Sequence, residues 1–329
     1  MMEKRILGKT GLKVSVLGMG GLFVSKIGES NREHSSEAVK RALELGVNYV
    51  DTAPSYADSE EVLGHALEGT KHPYYLSTKI GGRPQPFAPK NKDLLRKSVE
   101  ESLRLLKLNT IDILMVHEPD RPGQYDWWED YDNFHGPVCD LLDQLKSEKI
   151  IRFTGLGGTT AYQLPHIMAT GNYDVVLTAF NYSLLWREAS IAIIPEAKKQ
   201  NMGIIIGSPL QQGALSRRHP EIDTGAWWLS PQRQRQFKKL YDFLDDIELS
   251  LPEASLRMVL SNPDISTVLM GARSVEEVEK NVKSANAGPL PPDILESLRE
   301  IAEMVPFRPF EEPFGLPFGR SYAGPWHAR

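Results

Sequence analysis

Residues 47–56 read VNYVDTAPSY, an apolar run that stops at a carboxylate, Asp51, with a phenol, Tyr56, five positions on. The same pattern recurs twice downstream. YYLSTK (74–79) stops at Lys79, and IDILMVH (111–117) stops at His117. If these runs are strands of one barrel, all four side chains meet at its C-terminal mouth, where barrel active sites sit.

Working outward from these three, the alternation extends along the chain. Further strand-like runs are VSVLG (14–18), IRFTGL (151–156), DVVLTAF (174–180), GIIIGS (203–208) and ISTVLM (265–270), which makes eight. Most are almost continuously apolar, as strands covered on both faces must be. Amphipathic stretches lie between them. Ala38, Val39, Ala42, Leu43 and Leu45 fall at helical spacing in 35–45, and Leu94, Leu95, Val99, Leu103 and Leu106 do so in 91–108. A further helix over 274–285 opens at Ser274 with Glu277 three positions on, the pattern of a capping box. Strand followed by helix, eight times over, predicts one α/β domain across residues 1–329, a (β/α)8 TIM barrel. A doubly wound open sheet would need a helix directly after a glycine fingerprint. LGMGGLFVSKIGESN (17–31) has the glycines, but loop chemistry follows them. Residues 3–13 read as a hairpin that plugs the barrel bottom, and 231–247 as an extra helix. The tail 305–329, rich in proline, glycine and phenylalanine, either drapes over the mouth or is partly disordered.

Composition narrows the class. The 329 residues are 41% hydrophobic and 25% charged, with a net charge of −5. No global basic field favours nucleic acid. Cys139 is the one cysteine, so neither an intramolecular disulfide nor a cysteine metal cluster can form. The start, MMEKRILGKTG, lacks the apolar core of a signal peptide, and no apolar stretch approaches the ~20 residues of a membrane helix. A cytoplasmic protein acting on a small molecule, with no membrane and no metal, is the expectation; a homo-oligomer stays open.

A tyrosine titrates near ~10 and is a poor acid at neutral pH. A neighbouring ammonium stabilises tyrosinate, and Lys79 is placed to do this for Tyr56. Asp51 would pair with Lys79, and His117 would bond the substrate oxygen or relay a proton. Such acid–base catalysis contributes ~10²–10⁴-fold. None of these side chains carries a hydride, so reduction of a carbonyl or oxidation of an alcohol requires a cofactor. Taken singly, a Lys–Asp pair or a strand-end histidine can be merely structural. Their joint placement at successive strand ends favours chemistry.

From LGKTGLKVSVLGMGG to GARSVEEVEKN the sequence resembles the aldo-keto reductases. DTAPSYADSEEVLGHAL is similar to the family's second strand and loop, YLSTKIG to its lysine strand and LMVHEPD to its histidine strand. The resemblance implies a catalytic tetrad of Asp51, Tyr56, Lys79 and His117, with Tyr56 as general acid or base, and hydride exchange with NADP(H) or NAD(H) across the barrel mouth. AFNYSLLW (179–186) is most like the branch containing aldose dehydrogenases of the D-threo-aldose and L-galactose type.

The resemblance also implies a cofactor groove. Its residues would be Gly20, Gly21 and Asp51, then Ser208, Pro209, Leu210, Gln212 and Gly213 in GSPLQQGAL, where glycine allows close approach of backbone to pyrophosphate. Gly271, Ala272, Arg273 and Ser274 would hold the adenosine end at a helix N-terminus, together with Glu277 and Asn281. Arg273 suits a 2′-phosphate and Glu276 and Glu277 oppose one, which leaves a slight lean to dual NAD and NADP use. Two departures stand out. Gly157-Gly158 replaces the Ser-Asn that many members use for the nicotinamide amide, and Gly207 replaces a stacking aromatic ring. Backbone groups, Asn181 or Tyr182 are the available substitutes.

The long fourth loop, 119–136, holds Tyr125, Trp127, Trp128, Tyr131 and Phe134 among carboxylates, and the seventh adds Trp227 and Trp228. Mouth loops select substrate. Aromatic faces and carboxylates suit a sugar, so Trp127 and Trp128, with His117 and Tyr56, are the expected substrate contacts; anchoring of the loop is the competing reading. His135 reads as a loop histidine and Cys139 as a buried one. Other functions in view are a general aldehyde or ketone reductase, a cofactor-binding regulatory subunit of the channel β type, and a barrel that keeps its dinucleotide through each turnover.

Overall fold

A computed structural model describes residues 2–29, 31–309, 312–313 and 315–319. Two short strands, β1 (Lys4–Ile6) and β2 (Lys13–Ser15), form an antiparallel hairpin. Eight parallel strands then close into a barrel. They are β3 (Leu17–Gly20), β4 (Tyr49–Asp51), β5 (Tyr75–Ile80), β6 (Ile111–His117), β7 (Ile151–Gly158), β8 (Val175–Ala179), β9 (Gly203–Gly207) and β10 (Thr267–Met270). Helices α1 (Arg32–Glu44), α2 (Ser59–Leu67), α3 (Lys92–Leu106), α4 (Pro137–Ser147), α5 (Leu164–Met168) and α6 (Ile193–Lys199) separate consecutive barrel strands. After β9 come α7 (Glu221–Thr224), the extra helix α8 (Pro231–Asp246) and α9 (Leu251–Leu260); α10 (Val275–Asn286) and α11 (Pro292–Glu303) follow β10.

One expected strand proves to be two. VSVLG spans the end of β2 and the start of β3, because the backbone changes partner at Val16: its N–H donates to Glu3 and its carbonyl accepts from Val268. An apolar run carries no mark of such a switch. The hairpin plugs the bottom, as expected. Gly8, at φ +49°, lies so close that a Cβ there would stand 2.2 Å from the Gly203 nitrogen. Arg5 donates to the carbonyls of Leu260, Asn262 and Ile265, each at 2.9 Å, fastening the plug to the chain entering β10.

Strand parity decides which side chains reach the mouth. Side chains alternate across a strand. Tyr49, Ile113, Met115, Val175, Leu177, Ile205 and Leu269 fill the barrel interior with Leu7, Leu12 and Val14 of the plug, whereas Val50, Leu76, Leu114 and Val116 pack outward against the helices. Asp51 is two residues past Tyr49, and His117 two past Met115. Register sets Ser77 beside Asp51 and Lys79 beside Met115. Asp51, Lys79 and His117 thus occupy the top inward positions of three consecutive strands.

The tail does not drape freely. Glu312 accepts from Arg233 Nε at 2.7 Å, Trp186 Nε1 at 2.8 Å and Arg308 Nη1 at 3.1 Å, in a buried cluster where Arg233 is fully enclosed. Phe318 stacks on His219 at 4.1 Å, and the Gly319 N–H donates to Glu221 at 2.6 Å. The described part of the tail is therefore fastened to the segment after β9. Residues 320–329 lie outside the described chain.

Candidate active site

Lys79 is the hub of the mouth. Its ammonium donates to Asp51 Oδ2 at 2.8 Å and to the Thr52 carbonyl at 2.7 Å, while Ser77 Oγ donates to Asp51 Oδ1 at 2.7 Å. Lys79 and Asp51 are each 2% exposed, so a satisfied, desolvated ion pair lies under the pocket. Tyr56 comes from the turn after β4, where Ser59 N–H bonds its carbonyl at 2.9 Å. Its ring lies 4.8 Å from Lys79 Nζ, near enough for the ammonium's charge to act on its hydroxyl. The His117 ring stands 5.8 Å from it, edge to face, with Ser55 Oγ 3.4 Å from Nδ1.

These surroundings set the protons. Burial holds the Tyr56 hydroxyl above its ordinary range, with Lys79 the largest opposing influence. The expected lowering by Lys79 is present, but desolvation outweighs it in the protein alone. Burial and then Lys79 push His117 well below its ordinary range, so the imidazole is neutral. In the tautomer where Ser55 donates to Nδ1, the neutral ring keeps Nε2–H as a donor. Lys79 stays charged and is held above its usual range: desolvation works against this, but Asp51 and Tyr56 together outweigh it.

A groove of about 460 Å³ runs from Asp51 and Tyr56 across the mouth to Asn281. Gly20, Gly21, Ser208, Pro209, Leu210, Gln212, Gly213, Gly271, Arg273, Glu277 and Asn281, all expected, line it. Phe23 and Lys280 line it too and were missed: Phe23 sits in a loop with no periodicity, and Lys280 reads as a solvated helix face. Gly157, Gly158, Asn181, Ala272 and Ser274 do not line it. A Cβ at Gly157 would stand 3.3 Å from the Lys79 stem, and one at Gly158 would strike the Asp120 carboxylate at 2.8 Å. Asn181 donates to Thr159 O and Thr178 Oγ1, both at 3.0 Å, and Tyr182 turns its hydroxyl to Asn262. Ala272 is buried, and Ser274 caps α10 instead.

The groove suits a dinucleotide. Leu177, Ala179, Gly207 and Leu269 make an apolar floor in it. A Cβ at Gly207 would meet Leu177 at 3.2 Å and Ala179 at 3.3 Å, so no stacking ring fits there without movement. Farther along, Ser208, Gln211, Gln212 and Gly213 take left-handed φ, coiling the backbone beside the groove. Arg273 and Lys280 bring positive charge at the far end, although Arg273 also pairs with Glu277 at 3.1 Å.

The fourth loop departs from expectation. Trp127 and Trp128 are 0% and 2% exposed, and their indole N–H groups donate to the carbonyls of His117 at 2.9 Å and Pro119 at 3.0 Å. Both anchor the loop and offer no face to a substrate, because indoles this large find their best stabilisation in burial with the N–H satisfied. Phe134 packs on Trp128, and Trp228 on Phe318. Trp227 is 80% exposed. Tyr125, 6.3 Å from the His117 ring, and Phe87 beside it are the aromatic rings near the mouth. Cys139 is half-buried rather than enclosed. Glu118, which sequence reasoning left without a role, follows His117 at the end of β6 and accepts from Thr159 Oγ1 at 2.6 Å; its carboxyl is pushed up to about 7, chiefly by burial.

A proton-handling cluster at one end of a dinucleotide-shaped groove, on a (β/α)8 barrel, defines an oxidoreductase that works with a nicotinamide cofactor. The chain belongs to the aldo/keto reductase family, whose sequence profile matches residues 16–303. With the family come NAD(P)(H) binding and oxidoreductase activity. L-galactose dehydrogenase of Arabidopsis thaliana is 30% identical over 289 residues, covering 85% of this chain and 87% of that protein. A putative voltage-gated potassium channel subunit beta of Schizosaccharomyces pombe is 27% identical, covering 92% and 94%. The holo form of aldo-keto reductase AKR11C1 from Bacillus halodurans shares the fold at a TM-score of 0.76 and 24% identity, covering 95% of this chain and all of that one. No helix among the described residues is long and apolar enough to cross a membrane.

Proposed function

We propose that this single-domain barrel interconverts an aldose, or a related polyhydroxylated carbonyl compound, with its oxidised or reduced partner, and that Tyr56 moves the proton. The observation that carries this reading is the Tyr56 ring 4.8 Å from a Lys79 ammonium that Asp51 holds in place. The bound dinucleotide supplies or accepts the hydride. In reduction, His117 Nε2–H holds the carbonyl oxygen, Tyr56 gives it a proton, and Lys79 stabilises the tyrosinate left behind. In oxidation, Tyr56 takes the proton from the hydroxyl while His117 keeps the oxygen in place. Asp51 orients Lys79 throughout. The apolar floor at Leu177, Ala179 and Leu269 keeps water from the reacting face.

Support for the sugar class comes from the similarity to a galactose dehydrogenase and from the groups around His117, where Ser55 Oγ stands 3.4 Å from Nδ1 and the Tyr125 ring 6.3 Å from the imidazole. The fourth-loop tryptophans give none. Arg273 and Lys280 at the adenosine end favour a 2′-phosphate and Glu277 opposes it, which fits dual cofactor use. The direct test follows reduced nicotinamide with NAD or NADP and a panel of aldoses. Turnover of one stereochemical set, abolished in Tyr56→Phe with dinucleotide binding intact, supports the reading; normal turnover in that variant refutes the role of Tyr56. The similarity to a channel subunit keeps a regulatory reading in view, and tight dinucleotide binding without turnover in either direction would favour it.

A further inference from the structure

Chemistry fixes which way a dinucleotide lies in the groove. The nicotinamide must sit beside Tyr56, where the proton is handled. The adenosine ribose therefore falls at the opposite end, which Arg273, Glu277, Lys280 and Asn281 line. Glu277, Lys280 and Asn281 stand at helical spacing on α10 and share one face of it. Arg273 lies just before that helix, and Glu277 reaches back to it. Glu277 Oε2 accepts from the Arg273 backbone N–H at 2.8 Å, and Oε1 accepts from its guanidinium Nη2 at 3.1 Å. Ser274 Oγ meanwhile accepts from the Glu277 N–H at 3.3 Å. Donors that a phosphate at a helix start would use are thus already taken by side chains of this protein. The ion pair is within reach of a ligand, its side chains being 50% and 38% exposed.

We infer that Glu277 is a specificity-determining residue that tips the groove toward NAD(H) over NADP(H). It does so by accepting a hydrogen bond from a free ribose 2′-hydroxyl and by holding Arg273 in a pair that a 2′-phosphate must break. A hydroxyl can donate to Glu277 without displacing Arg273, because an ionised carboxylate offers about four acceptor positions. A phosphate brings no such proton and meets the carboxylate as a like charge. It gains Arg273 only by opening both hydrogen bonds. Arg273 and Lys280 pull the other way, so both dinucleotides bind, NAD(H) the tighter. Position 277 alone joins attraction for the hydroxyl to repulsion of the phosphate, the combination that makes a selective site. The inference rests on the cofactor groove and is independent of the substrate proposed above.

The test measures dissociation constants for NADH and NADPH from nicotinamide fluorescence, without turnover, in the wild type, Glu277→Gln, Glu277→Ala and the double variant Arg273→Ala/Glu277→Gln. Glu277→Gln keeps an acceptor for the Arg273 N–H and removes the charge. The ratio of the NADPH to the NADH constant should exceed one in the wild type. It should fall about 10-fold in Glu277→Gln, equivalent to about 1.4 kcal/mol, mostly through tighter NADPH. Glu277→Ala should lower the ratio as well, and losing Arg273 in the double variant should cancel the gain. Thermal melting checks that each variant is folded. A wild type that binds NADPH the tighter, or a ratio unchanged in both single variants, overturns the inference. So does an equal weakening of both dinucleotides, which would leave Glu277 only a cap of α10. If the wild type binds neither dinucleotide, the groove reading itself fails, and the inference with it.

Discussion

Lys79 and Asp51 form an ion pair at 2.8 Å with neither side chain more than 3% exposed, and among the described residues neither has another ion-pair partner. Asp51→Asn leaves Lys79 buried and uncompensated. The expected cost is about 3–5 kcal/mol of stability, visible as a lower denaturation midpoint at unchanged slope. An unchanged midpoint would mean that water enters the mouth freely.

The pH dependence has a definite sign. Burial keeps Tyr56 protonated through neutral pH, so oxidation, which needs the tyrosinate, should speed up as pH rises above neutral, and reduction should slow once Tyr56 loses its proton. Lys79→Met removes the largest influence that lowers Tyr56 and should move the rise in oxidation to still higher pH. His117 stays neutral and adds no limb near neutral pH. Rate profiles in both directions check this, and an oxidation rate flat from pH 6 to 10 would contradict it.

Glu118 predicts a stability effect opposite to that of an ordinary salt-bridged acid. Its carboxyl is pushed up to about 7 in the folded chain. The folded state thus holds a proton that the unfolded chain, titrating near ~4.3, has released. Stability is full below about 4.3 and falls as pH rises toward 7. Above that, the penalty reaches up to about 3 kcal/mol. Glu118→Gln should therefore raise the melting temperature at pH 8 and leave it unchanged at pH 4, as thermal scans at the two pH values would record.

Glu312 connects the tail to the cofactor groove at one remove. Glu312→Ala strands the enclosed Arg233, at about 3–5 kcal/mol, and releases the segment whose Phe318 covers His219. Faster dissociation of dinucleotide, measured by stopped-flow fluorescence, should accompany faster hydrogen exchange in residues 208–225. Exchange confined to the tail would separate the two.

The barrel was legible because its strands are short, apolar and regularly spaced, and the four mouth residues because each ends such a run. Side-chain direction was less legible. A tryptophan in a loop reads the same whether its ring faces a substrate or the core; only the carbonyls of His117 and Pro119, brought near by folding, show that Trp127 and Trp128 turn inward. Gly157 and Gly158 stand where many members carry the Ser-Asn for the nicotinamide amide, yet here a side chain at either would press on Lys79 or Asp120. Glu118 was passed over because its neighbour His117 carried the motif, and nothing local announces a left-handed turn at a glutamate.

The fastening of the tail to the segment after β9 also bears on how relatives exchange parts. A swap of residues 208–230 alone would import a loop without the Phe318 that stacks on His219 and the Gly319 that bonds Glu221. A swap of the tail alone would leave Arg233 enclosed with no carboxylate. Loop, extra helix and tail form one inheritable cassette, and chimeras that alter cofactor preference should succeed when their crossover points keep its three pieces from the same parent.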